Sequence, residues 1–103
     1  MARLTLVWTK TALKQRNRTF KYWNKRNKST EYSKRLREVI NERTKLILSF
    51  PNMGREAGIK HHLTIPLEHY NIFYRKVEDK IVITAFWDND QNPKKLLKIL
   101  KDS

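Results

Sequence analysis

The sequence predicts an α+β fold in the order β-α-α-β-β-β-α, and three observations carry that prediction. Between residues 30 and 50, Tyr32, Leu36, Val39, Ile40, Ile47 and Phe50 recur at the spacing of one helix face. Three strand-like runs follow, at residues 62–67, 70–77 and 81–87, separated by turn-forming residues. An alternating run at residues 4–8 comes before the helices and supplies a further strand.

In the first strand Leu4, Leu6 and Trp8 share one face, and Thr5 and Val7 the other. Thr9 is placed to cap a helix over residues 10–28, in which Ala12, Leu13, Phe20 and Trp23 form a narrow apolar stripe. After an Asn-Lys break Ser29 offers a second N-cap, and the helix of residues 30–50 completes an antiparallel hairpin. Pro51-Asn52-Met53-Gly54 ends that helix with turn chemistry. Leu63, Ile65 and Leu67 then alternate on a strand that ends, or lies at an edge, at Pro66, because proline has no N–H for a ladder. Through the Glu68-His69 link it pairs with residues 70–77, where Tyr70 and Tyr74 share one face and Asn71, Phe73 and Arg75 the other. Beyond Glu78-Asp79-Lys80, residues 81–87 are apolar on both faces, which places that strand centrally. Asn92 then Pro93 is a cap with a first-turn proline, opening a short basic helix over residues 94–101 with Leu96, Leu97 and Leu100 inward. Residues 1–103 read as one domain.

Composition narrows the function. The 103 residues hold 23 Lys and Arg against 10 Asp and Glu, a formal charge of +13, yet 39% are apolar, enough for a core and against disorder. The lack of cysteine excludes disulfides, thiolate zinc sites and cysteine nucleophiles. No apolar run approaches the roughly 20 residues of a membrane span, and no apolar stretch follows the Met-Ala-Arg-Leu-Thr start, so a cytoplasmic protein is expected. The charge is uneven, with 14 basic and 3 acidic residues in positions 1–45 but 9 and 7 in positions 46–103. Lys10, Lys14, Arg18, Lys21, Lys25 and Arg26 fall in an acid-free segment, which predicts a surface for an anionic partner, nucleic acid or acidic protein. His61, His62 and His69 do not read as a metal site: adjacent strand residues face opposite ways and no acid clusters near them. No cofactor is expected. Trp8, Phe20, Trp23 and Tyr32 read as core, and Asp88 and Asp90 as turn residues.

Several segments together resemble the RelE/ParE superfamily, the toxin halves of bacterial type II toxin–antitoxin modules. Val7-Trp8-Thr9-Lys10-Thr11-Ala12-Leu13 is similar to the family's first strand and the start of its first helix. Ser29-Thr30-Glu31-Tyr32 resembles the start of its second helix, and Phe50-Pro51-Asn52-Met53-Gly54-Arg55 its Pro-x-x-Gly-Arg turn. His69-Tyr70-Asn71-Ile72-Phe73-Tyr74-Arg75, followed by Lys80-Ile81-Val82-Ile83, is similar to its central hairpin, and Trp87-Asp88-Asn89 with Pro93 to the end of its last strand.

The resemblance implies a four-stranded antiparallel sheet packed on the helical hairpin. It also implies a toxin of a plasmid-stabilisation-like module that arrests growth and is neutralised by a cognate acidic antitoxin wrapping it with an extended or helical tail. Two mechanisms follow from it: ribosome-dependent mRNA cleavage in the RelE-like branch, or inhibition of DNA gyrase in the ParE-like branch. Cleavage has the ribose 2′-OH attack its own phosphate, which needs cations for the developing charge and groups to move protons. The candidates for that work are His62, Arg75 and Tyr70. The chain departs from the cleaving branch at Thr64, which is not basic, at Asn71, where an Arg is expected after the tyrosine, and at Asp90, where relatives have a nearby basic residue. The alternative function class is a non-catalytic basic nucleic-acid-binding module using the segment from Lys10 to Lys28.

Overall fold

The computed structural model describes residues 3–103. In chain order the elements are β1 (Thr5–Trp8), α1 (Lys10–Asn27), α2 (Glu31–Ser49), β2 (Arg55–Glu56), β3 (Leu63–Leu67), β4 (Tyr70–Val77), β5 (Lys80–Asp88) and α3 (Pro93–Lys101). The α+β order is the predicted one with a two-residue strand added.

Cap chemistry sets the helix ends. The Thr9 hydroxyl accepts from the Ala12 amide at 3.1 Å, and α1 stops at Lys28, whose φ of 50° is left-handed. Thr30 takes the N-cap position of α2 without a side-chain bond, while the Ser29 hydroxyl accepts from the Glu31 amide at 3.2 Å. Asn92 accepts from the Lys94 amide at 2.9 Å, with Pro93 in the first turn of α3.

The sheet has the order β1-β5-β4-β3-β2. It is mixed and five-stranded, which corrects the four-stranded antiparallel sheet: β1 runs parallel to β5, with Thr5 opposite Lys80 and Trp8 opposite Ile83. The cause is β2, which runs antiparallel to β3 and reverses the chain after the helical hairpin. Because β3, β4 and β5 alternate in direction, β3 and β5 then both run with β1. At Pro66 the far side of β3 is open, since β2 covers only Leu63 and Thr64.

One bulge explains why β5 is apolar on both sides. Phe73 pairs with Ala85 but Tyr74 with Ile83, so Thr84 is extra, and its hydroxyl donates to the Phe73 carbonyl at 3.2 Å. The alternation flips there. Ile81, Ile83 and Phe86 join Tyr70, Ile72 and Tyr74 under α1 and α2, whereas Ala85 and Trp87 join Phe73 and Leu100 under α3. Each such aliphatic or aromatic side chain contributes about 1.5–3 kcal/mol by leaving water. Past the end of β1 the edge of β5 has no neighbouring strand, and the Gln15 side-chain carbonyl of α1 accepts from the Phe86 amide at 2.8 Å.

Two inward assignments are corrected. Phe50 is 62% exposed, because α2 ends at Ser49 and the extended φ of −134° at Phe50 carries its side chain off the helix face. Leu97 is 44% exposed, and Ile99 instead lies inward with Leu96 and Leu100. Leu97 stands about 100° round the helix from Leu96, past the margin of that stripe.

Candidate functional site

The basic helix presents its charge in one line. Lys10, Lys14, Arg18, Lys21 and Lys25 are separated by steps of four, four, three and four residues, and all are exposed. At 3.6 residues per turn they share an arc of about 80° and run some 22 Å along α1. Arg26 is exposed too but stands to one side, donating to the Tyr22 hydroxyl at 3.1 Å with its guanidinium 5.8 Å from the Trp23 ring. Among the described residues the one ion pair is Arg43–Glu42 at 3.5 Å. The stripe is therefore not neutralised within the molecule, and its free charge favours anionic surfaces through counterion release.

The three residues considered for RNA cleavage do not converge. Tyr70 lies on the helical-hairpin face of the sheet, 4% exposed, stacked on Phe86 at 4.9 Å and accepting from the Trp23 indole N–H at 2.7 Å. Burial raises its pKa, against the opposing effect of that bond. His62 and Arg75 belong to the other face. The β3–β4 register pairs Leu63 with Tyr74, and one step further sets His62 opposite Arg75.

His62 is not on a strand: it follows the turn residue His61, whose φ of 60° is left-handed, and directly precedes β3. His62 is 1% exposed and its Nδ1 lies 2.9 Å from the Ile59 carbonyl. A carbonyl can only accept, so Nδ1 carries the proton. Burial is the main reason its pKa is lowered, the Ile59 bond opposes it, and the Arg75 and Lys60 charges add to it. The ring is neutral near pH 7, with Nε2 buried and without a partner. Beside it the Thr64 hydroxyl and Arg75 Nε are likewise buried and unpaired.

The C-terminal end of α3 closes over this face. Arg75 donates to the Ser103 carbonyl at 3.1 Å, and the Lys60 ammonium to the Lys101 carbonyl. Lys60 thus meets the negative end of α3, and Arg75 a carbonyl two residues past it. The positions where the cleaving branch carries basic groups hold polar contacts instead: Asn71 donates to the Asn89 side chain at 2.7 Å, and the Asp88 carboxylate accepts from the Asp90 amide at 2.9 Å. Among the described residues no three His, Asp or Glu side chains gather as a metal site.

Two features escape a linear reading. The first is a cleft of about 1050 Å³ between the second half of α1, the Tyr70–Asp88 end of the sheet and the start of α3. It sets Arg18, Arg26 and Lys95 beside Asp88 and Asp90, and so presents both signs of charge. The second is Arg16. It stands four residues from both Ala12 and Phe20, on the buried side of α1, and that spacing was the available signal.

Comparison with known proteins agrees with this architecture. Residues 6–93 match the family model described as the ParE toxin of the type II toxin–antitoxin system, parDE. No curated protein matches the sequence. Among solved structures the chain is similar to a chromosomal ParDE toxin–antitoxin system from P. aeruginosa, with a TM-score of 0.72 and 17% identity over 85% of this chain and 98% of that one. At that identity the likeness speaks to the fold. The family match spans most of the chain, from β1 to the first residue of α3, and on it the chain belongs to the ParE toxins of type II toxin–antitoxin systems.

Proposed function

We propose that this chain arrests bacterial growth by binding DNA gyrase in the cytoplasm, and that a cognate acidic antitoxin holds it inactive. The observation that supports an inhibitor over a nuclease is the state of His62. A proton-transfer group must reach its substrate, and this imidazole is 1% exposed, neutral, and bonded through its one N–H to the Ile59 carbonyl. Its neighbouring cations are engaged by the carbonyls of Lys101 and Ser103, and Tyr70 is on the far side of the sheet. Docking on a protein target needs none of this chemistry. The exposed stripe on α1 offers the long-range attraction that speeds encounter with an acidic surface.

A second reading, ribosome-dependent mRNA cleavage, draws on the adjacency of His62 and Arg75 and on the three unpaired polar atoms there. One paired experiment separates the two. Purified protein is added to a gyrase supercoiling assay and, in parallel, to translating ribosomes whose mRNA ends are mapped. Blocked supercoiling with intact mRNA is expected. Codon-positioned cuts that vanish in His62→Ala and Arg75→Ala, with supercoiling untouched, would establish the nuclease instead. Salt-dependent nucleic-acid binding without growth arrest on induction would point to a non-catalytic binding module.

A further inference from the structure

Two arginines meet where like charges should avoid each other. Arg16 of α1 and Arg37 of α2 both approach the Phe20 ring, their guanidinium carbons 5.8 Å and 4.7 Å from its centre. Arg16 also lies 4.8 Å from the Trp8 ring of β1. Its Nε is buried and without a partner, and among the described residues neither guanidinium pairs with a carboxylate. Burial and the nearby Arg37 charge both disfavour the charged form of Arg16. The aromatic rings offset part of that cost, and Arg16 has one long bond, 3.5 Å, to the neutral Asn17 side-chain carbonyl, which leaves its charge and its Nε–H uncompensated. An anion is the missing component.

The surroundings decide which anion. β1 is an edge strand; the Thr5 amide, and the Thr9 amide just past it, donate to the Asp79 and Ile83 carbonyls. In a parallel ladder the intervening even-numbered residues turn their backbone groups away, so Leu6 and Trp8 present N–H and C=O to the open edge. A polypeptide can pair with such an edge and a nucleic acid cannot. The edge and the Arg16 guanidinium meet at Trp8, and Arg37 reaches the same spot through the shared Phe20 ring. Arg16 is also on the opposite side of α1 from the exposed lysine stripe, about 160–240° away round the helix. We propose that Arg16 and Arg37 receive the carboxylate side chains of an acidic polypeptide segment lying along β1. The proposal rests on the antitoxin reading only for the source of that segment.

The test uses the full chain, a blocked soluble peptide Ser-Glu-Val-Glu-Ser-Glu, its glutamine counterpart, and inorganic phosphate. NMR follows the Arg16 and Arg37 Nε–Hε signals and the Trp8 indole N–H. The glutamate peptide should shift all three saturably, and the glutamine peptide should not. Arg37→Gln, a change at an exposed position, should weaken the peptide about tenfold, the loss of one charge-assisted contact. Lys14→Gln, on the stripe, should change it by less than about twofold. Equal binding of the glutamine peptide, equal shifts at every arginine, or tighter binding of phosphate at Arg16 would each overturn the proposal. Neutralisation of the unmodified toxin by an acidic protein encoded beside it tests the antitoxin reading separately, so either idea can fail alone.

Discussion

The Gly54 amide donates to the Tyr74 hydroxyl at 3.1 Å, across 20 residues of sequence, and the same hydroxyl donates to the Pro51 carbonyl at 2.8 Å. One phenol thereby pins both ends of the turn that leaves α2. Tyr74→Phe removes partners from two backbone groups and should cost about 1–3 kcal/mol in urea unfolding. Gly54→Ala should also destabilise, because its Cβ would come 2.8 Å from the Tyr74 oxygen and 2.9 Å from Leu63 Cβ. If Gly54→Ala unfolds at the wild-type urea midpoint, the turn is not held this tightly.

Tyr70 anchors α1 to β4 through the Trp23 indole. Tyr70→Phe leaves that N–H without its acceptor, so a loss of about 1–3 kcal/mol is expected, again read by urea unfolding. Growth arrest per folded molecule should persist. Abolished arrest in a variant as stable as the wild type would mean instead that the phenol handles protons in a reaction.

How legible these features were depends on how local their causes are. Thr9, Asn92 and Pro93 act within one turn of their own helices, and their capping roles were readable. The separation of Tyr70 from Arg75 follows from strand parity, and it was readable as well. β2 was not, because Arg55 and Glu56 are charged, exposed and too few to show a period. The apolar character of β5 was visible, but its origin in the Thr84 bulge depends on pairing with β4. The exposed stripe on α1 is written in its lysine spacing. The burial of His62 is not, since it depends on the turn that folds His62 back onto the Ile59 carbonyl and on the pairing of β3 with β4.

His62 should make the fold sensitive to mild acid. Its folded pKa is lowered, chiefly by burial, from an unfolded value of about 6.5. Between the two values the unfolded chain binds more protons, so stability is complete above about pH 6.5 and declines as pH falls through it toward the folded pKa. Thermal melts between about pH 7.5 and 5.5 should show Tm dropping while most carboxylates, near pH 4, remain ionised. His62→Gln should flatten that profile with His61 and His69 still present. An equal slope in wild type and variant would show that His62 is not the group responsible.

Leu97 and Leu100 test how α3 is held. Leu100 is 1% exposed against Phe73, Ala85 and Trp87, whereas Leu97 faces water. Leu100→Ala should cost about 2–5 kcal/mol. Leu97→Lys should stay within about 0.5 kcal/mol. Urea midpoints reversed in rank would mean that α3 sits on the sheet by a different face.

The lysine stripe makes a prediction that does not depend on the biological target. Its five cations lie in one line, with no ion pair among the described residues, so any duplex DNA held there would lose salt dependence as cations are removed. Each neutralised phosphate contributes about 0.9 to the slope of log K against log salt concentration. Lys14→Gln combined with Lys21→Gln should therefore reduce the slope by about 1.8 if both side chains contact phosphate. Arg37→Gln, on α2, should leave it within the error of the measurement. Fluorescence anisotropy with a short labelled duplex at several salt concentrations gives both values. A slope unaltered by the double lysine change would mean that DNA is held elsewhere, with the cleft beside Arg18, Arg26 and Lys95 the next surface to vary.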